Sequence, residues 1–186
     1  FINHGITPII YEHGSVGASG DLVQLSHLAL CLIGEGEVFY ENSRYNTKEV
    51  LDRLHIKPLD IHIREGLALA NGTSVMTALG LINVINSKKL IEIAILMSCI
   101  INEIVSAFDD HLSVELNNAK LHKGQRDIAL KMRQILHDSK CIRKRNEYFY
   151  NKEITDSIIQ TKVQEYYSLR CVPQILGAIS DEVLNA

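Results

Sequence analysis

One glycine-rich turn, GSVGASGD over residues 14–21, combines residue types that could do chemistry on their own backbone. Two readings compete for it. A glycine-rich turn ahead of a helix can cradle a phosphate on its free amide groups. Here no P-loop lysine accompanies the turn, no β-strand pattern precedes it, and Asp21 stands where an anion would be repelled. The second reading is cyclisation. If the amide nitrogen of Gly20 attacks the carbonyl carbon of Ala18, a five-membered ring closes around Ser19. Loss of two waters then leaves a 4-methylidene-imidazole-5-one whose exocyclic methylene comes from the Ser19 side chain. Each residue type suits the step. Gly20 tolerates a compressed backbone that other residues resist. Ala18 leaves the attacked carbonyl uncrowded, and Ser19 supplies the hydroxyl that departs by β-elimination. A strained turn that holds nitrogen and carbonyl in near-attack geometry removes much of the entropic barrier.

The elements around the turn read as helices. Asp21 is placed to cap a helix from Leu22 to about Ile33, stopped by Gly34 and Gly36. A polar connector with Asn42, Ser43 and Asn46 follows, then a short helix from Thr47 to about Leu54, with Pro58 in a loop. Thr73 or Ser74 is placed to cap a long helix reaching about Phe108, with apolar residues on most faces, among them Leu79, Ile82, Ile85, Leu90, Ile93, Leu96, Met97, Ile100 and Ile104. Asn83, Asn86, Lys88, Lys89, Glu92, Asn102 and Glu103 interrupt every ~20-residue window, so the pattern excludes a membrane span. Such a helix is expected to be covered by neighbours or by other subunits. A further helix is predicted over Gln125 to His137 and a polar, variable connector over residues 138–160. The closing segment VQEYYSLRCVPQILGAISDEVL is amphipathic with an interruption at Pro173. The architecture predicted is mostly α, a helical bundle with functional loops at helix starts.

Composition narrows the function classes. With 186 residues, 46% of them hydrophobic and 22% charged, the chain can bury one sizeable core. A net charge of −3 argues against nucleic acid, and acidic residues accompany both basic clusters, near Lys123–Lys131 and Cys141–Arg145. Cys31, Cys99, Cys141 and Cys171 form no CxxC pair and fit a reduced, cytoplasmic protein. None of the eight histidines falls in a metal-ligand spacing, and no metal is expected. The first residue, Phe1, suggests a start inside a longer protein.

Three strings carry a family resemblance. GSVGASGDLVQLSHLAL resembles the prosthetic-group segment of the histidine, phenylalanine and tyrosine ammonia-lyases. REGLALANGTSVMTALGLINV resembles the segment that follows it there, and VQEYYSLRCVPQILGA a third, late in the family's central region. The three occur in the family's order at plausible spacing, and the similarity runs essentially end to end. The chain is therefore identified as a single partial domain, residues 1–186, from the centre of an aromatic amino acid ammonia-lyase. The resemblance implies a long-helix bundle of the fumarase/aspartase type with the reactive turn at a helix N-terminus. It also implies a homotetramer with shared active sites, and neither nucleic acid, nucleotide nor membrane as partner.

Roles then transfer by position. Ala18, Ser19 and Gly20 would form the prosthetic group. Asn71 corresponds to the asparagine beside its carbonyl, where an amide donor would stabilise developing negative charge; alone, Asn71-Gly72 reads equally as a turn before a capped helix. Tyr167 matches the active-site tyrosine near the substrate amine, Arg170 the arginine that grips the substrate carboxylate with its planar fork, and Gln164 a glutamine lining the same pocket. Bland readings stand beside these: a core aromatic for Tyr167, a surface ion pair for Arg170, a helix-surface residue for Gln164. The reaction implied is addition of the substrate amine to the methylidene carbon, removal of a β-proton and loss of ammonia to give an α,β-unsaturated acid, with the difficult chemistry carried by the built-in cofactor. The family's base, a tyrosine on a mobile loop, lies upstream of this chain. Gln24, the IKPLDI stretch and the VQEYYSLRC ending resemble bacterial tyrosine ammonia-lyases, and Tyr166 stands where many histidine-specific relatives have proline. Tyrosine is thus expected first, histidine (giving urocanate) second, with an aminomutase third. Outside this class stand a non-catalytic helical interaction module and a relative that never cyclises.

Overall fold

In the computed structural model, which describes residues 1–151 and 162–186, the chain is mostly α-helical. It divides into two units, Phe1–Ile82 and Asn83–Ala186.

In the first unit, helix α1 (Leu22–Leu32) lies within a residue of its predicted span. Asp21 does not cap it through its side chain; only its backbone carbonyl accepts, from Leu25 N–H at 2.9 Å. The predicted polar connector is instead a hairpin, β2 (Glu37–Tyr40) and β3 (Ser43–Asn46), with β1 (Thr7–Pro8) antiparallel on the other side of β2. Tyr40 pairs with Ser43, so only Glu41 and Asn42 turn the chain, both at positive φ (49° and 61°). That is the primed two-residue turn whose twist matches paired strands. Val38 is fully buried on β2 and packs with Ile6, Cys31, Val50 and Leu51, the last two from α2 (Thr47–Arg53). Helix α3 (Glu65–Ala70) leads to Asn71.

Helix α4 (Ser74–Ile104) stops four residues before the predicted end, and Ser106 turns the chain at positive φ (48°). In the second unit its Ile91, Ile95, Cys99 and Asn102 form one buried stripe. Ile91, Ile95 and Cys99 join Leu112, Ile128, Met132, Leu136 and Val172 in a core. The partners come from α6 (Lys123–Ile135), from α8 (Val172–Asn185) and from the turn ahead of α5 (Val114–Asn118). At the α6–α8 contact a Cβ on Gly177 would come within 2.4 Å of Gln125 N, so glycine alone lets the backbones approach this closely. Asp181 of α8 accepts from Gly124 N–H at 3.2 Å, placing a carboxylate at the start of α6. The interruption predicted at Pro173 falls between α7 (Tyr167–Arg170) and α8, with the proline in the first turn of α8. Part of the connector predicted over 138–160 lies outside the described residues; Asn146–Tyr150 forms a single wide turn. Among the described residues no helix is long and apolar enough to cross a membrane.

Candidate active site

The predicted site residues fall in two groups, one in each unit. In the first unit the reactive turn is closed by its own side chains. Ser15 Oγ donates to Gly20 O at 3.2 Å and accepts from Gly17 N–H at 3.4 Å. Ala18 and Gly20 form an isolated bridge on either side of Ser19. Gly20 has φ of 96°, and a Cβ on it would lie 2.8 Å from Asn71 Oδ1 and 2.9 Å from Gly72 O. Conformation and space both demand glycine at that position. Ser19 and Ala18 are exposed, leaving the hydroxyl and the carbonyl unhindered.

Asp21 does what sequence reasoning assigned to Thr73 or Ser74. Its carboxylate, only 4% exposed, accepts from Met76 N–H at 2.9 Å, in the first turn of α4. Its backbone N–H donates to Gly72 O at 2.8 Å. The residue after Gly20 is therefore tied at two points to the segment that carries Asn71. An anion on those free amides is also well placed against the helix dipole. The sequence signal was an acidic residue directly after the turn, read for the wrong helix. These contacts fit a ring closed from Ala18 through Gly20, with the Asn71 carboxamide beside it.

In the second unit Gln164, Tyr167 and Arg170 come together. Arg170 Nη1 donates to Gln164 Oε1, and the guanidinium lies 4.2 Å from the centre of the Tyr167 ring. Arg170 Nε is buried without a hydrogen-bond partner, and among the described residues Arg170 makes no ion pair. The surface ion pair does not describe it. Tyr167 is 72% exposed, so neither does the core aromatic describe that residue. Gln164 lies ahead of α7, on no helix surface. Two anchors missed by sequence reasoning hold this segment: Glu165 accepts from Phe108 N–H at 2.9 Å, and Arg145 donates to Val163 O at 2.5 Å. A cavity of about 700 Å³ in the same unit, lined by residues including Asp109, Arg133, Lys144 and Arg145, contains none of the predicted site residues.

Sequence comparison places this geometry. The description "Aromatic amino acid lyase" matches residues 1–186, the whole chain. The chain belongs to the aromatic amino acid lyase family. It is 41% identical, over its full length, to a histidine ammonia-lyase of Bacillus cereus, of which it spans 34%; a Bacillus anthracis histidine ammonia-lyase matches equally. Among solved structures, the tyrosine aminomutase of Streptomyces globisporus matches 98% of this lyase-family chain at 36% identity (TM-score 0.84), and the phenylalanine aminomutase of Pantoea agglomerans matches it at 30% (TM-score 0.86). This chain covers 36% of each. It thus spans about a third of the length of the curated relatives it matches. The preference for tyrosine drawn from Gln24, the IKPLDI stretch and the VQEYYSLRC ending finds no support in the curated relatives, which are histidine ammonia-lyases and fit the histidine alternative better.

Proposed function

We propose that the complete protein eliminates ammonia from an aromatic L-amino acid, histidine in first place, giving urocanate. The observation that carries this reading is Gly20, held at positive φ against Asn71 and Gly72 at a spacing that excludes any side chain. The 41% identity to histidine ammonia-lyases sets the substrate order. A second reading, an arylalanine lyase or aminomutase, is favoured by the 36% identity to a tyrosine aminomutase.

When formed from Ala18, Ser19 and Gly20, the methylidene-imidazolone supplies an electron-poor alkene. The chain's own residues hold and orient. Arg170, steadied by Gln164 and by the Tyr167 ring, has N–H donors left for a substrate carboxylate, and its fixed positive charge favours the negative charge that develops as the β-proton leaves. Tyr167 would place its hydroxyl by the substrate amine, and Asn71 would offer its amide to the carbonyl of the closed turn. The base comes from outside this chain, as the exposure of Ser19 and Tyr167 here accords with walls supplied elsewhere. A homotetramer in a reducing cytoplasm completes the proposal, supported by the apolar surface of α4 and by free thiols at all four cysteines.

The test is ammonia release by the full-length protein from L-histidine, L-tyrosine and L-phenylalanine, with Ser19→Ala alongside. The reading expects histidine to be preferred and Ser19→Ala to abolish release with helix content unchanged. Turnover that survives Ser19→Ala contradicts it.

A further inference from the structure

We propose that Glu165 is the positioning residue that sets the substrate-carboxylate end of the site, an inference that rests on the lyase reading above. Gln164, Tyr167 and Arg170 sit in or just before a helix of four residues, too short to hold its own geometry. Something outside that turn must fix them. Glu165 stands directly after Gln164 and is 3% exposed, while Gln164, Tyr166 and Tyr167 are exposed. A carboxylate is rarely buried this far without being bound. Its Oε1 accepts from Phe108 N–H at 2.9 Å, and its Oε2 takes Lys162 Nζ at 2.6 Å.

Phe108 is itself a fixed point. Its backbone lies where α4 has ended, between Ala107 O, which accepts from Arg143 N–H at 2.9 Å, and Asp109 N–H, which donates to Arg143 O at 3.1 Å. Its ring is fully buried. Glu165 therefore bonds this short turn to a buried, hydrogen-bonded neighbour. With the Glu165 side chain held inward, Gln164 faces outward, where its Oε1 meets Arg170. Loss of the carboxylate leaves, among the described residues, only Arg145 on Val163 O to hold the segment ahead of α7 and so loosens Gln164 against Arg170; displacement of a clamp by about an ångström is worth on the order of a hundredfold in rate. Neither Ser19 nor Asn71 is bonded to Glu165, whose carboxylate takes Phe108 N–H and Lys162 Nζ.

The experiment uses the full-length protein carrying Glu165→Ala or Glu165→Gln. Glutamine keeps an oxygen for Phe108 N–H and gives up only the charge. Inhibition constants are measured for urocanate, which has the carboxylate, and histamine, which lacks it, together with kcat and KM for histidine. The expectation is that Glu165→Ala weakens urocanate and raises KM by roughly tenfold or more while histamine binds as before, and that Glu165→Gln restores most of the loss. Equal weakening of both ligands, or no change in either, overturns the positioning role, as does a glutamine variant as impaired as alanine. If Glu165→Ala does not fold, Glu165→Asp, one methylene shorter, decides: weaker urocanate with unchanged histamine supports the role, and an equal loss or no change in both overturns it. A parent protein that releases no ammonia from any aromatic amino acid removes the lyase reading itself; an active parent indistinguishable from Glu165→Ala removes only this one.

Discussion

Asp21 joins the two halves of the reactive turn's surroundings through one side chain and one amide. Asp21→Ala removes only the first of these: Met76 N–H loses its acceptor, at a cost of about 1 kcal/mol for a lost helix cap, while the backbone N–H of residue 21 still donates to Gly72 O. The expected outcome is a lower midpoint in thermal unfolding and, with one of two ties gone, a smaller fraction of chains carrying the closed ring; full maturation in Asp21→Ala contradicts a role for the carboxylate in closing the turn. His111 gives a second test at this scale. Burial, which leaves it 4% exposed, holds its imidazole below the ordinary value, and the carboxylates of Asp110 and Glu165 only partly oppose this. Above about pH 6.5 the imidazole is neutral in folded and unfolded chains alike. Below that the unfolded chain takes up a proton that the folded one resists, so stability falls as pH drops toward the lowered value. Denaturant midpoints across this range should show a slope that His111→Gln flattens. The demand for glycine at position 20 was legible, because ring closure asks for a residue without a Cβ and the fold leaves no room for one; the other site positions came from the family resemblance rather than from residue types alone. The roles of Asp21 and Glu165 were not legible, because each acts on a backbone amide more than fifty positions away, and no local pattern encodes such a bond.

Among the elements, the helices were the readable part. The starts of α1 and α2 follow from apolar spacing after polar residues, although neither Asp21 nor Asn46 makes a side-chain cap bond there, and the proline marks the first turn of α8 just after the break. The hairpin was hidden because its turn, Glu41-Asn42, uses left-handed residues without the glycine that usually advertises one, and because its strands are only four residues long. The end of α4 was placed too late, since Val105, Ala107 and Phe108 continue the apolar pattern, yet Val105 is exposed and Ala107 and Phe108 are buried as a loop beyond the helix. The α6–α8 crossing was equally invisible, because Gly124 and Gly177 lie far apart in sequence. It yields a prediction: Gly177→Ala drives a methyl into the Gln125 backbone and should destabilise the protein by about 1–3 kcal/mol, read from chemical denaturation. A change within error would mean that the two helices separate freely.

For the molecule as a whole, α4 carries apolar residues that its own chain does not cover. Leu90, Ile93, Met97, Ile100 and Ile104 follow one another at helical spacing, roughly across the helix from the buried Ile91, Ile95 and Cys99 stripe, and each is between 46% and 76% exposed. A continuous apolar stripe of that length needs a partner surface. In the full-length protein Ile93→Asp together with Met97→Asp should convert the proposed tetramer into smaller species by light scattering, whereas an unchanged mass would place the subunit contact elsewhere. The central claim concerns one covalent event at Ser19, and peptide mass spectrometry of the full-length, assembled protein tests it most directly. The account predicts that the peptide spanning Ala18, Ser19 and Gly20 is lighter than its sequence by two waters, and that Ser19→Ala abolishes this deficit. A peptide of unmodified mass, with Ser19 an ordinary serine in a protein that still releases ammonia, contradicts it.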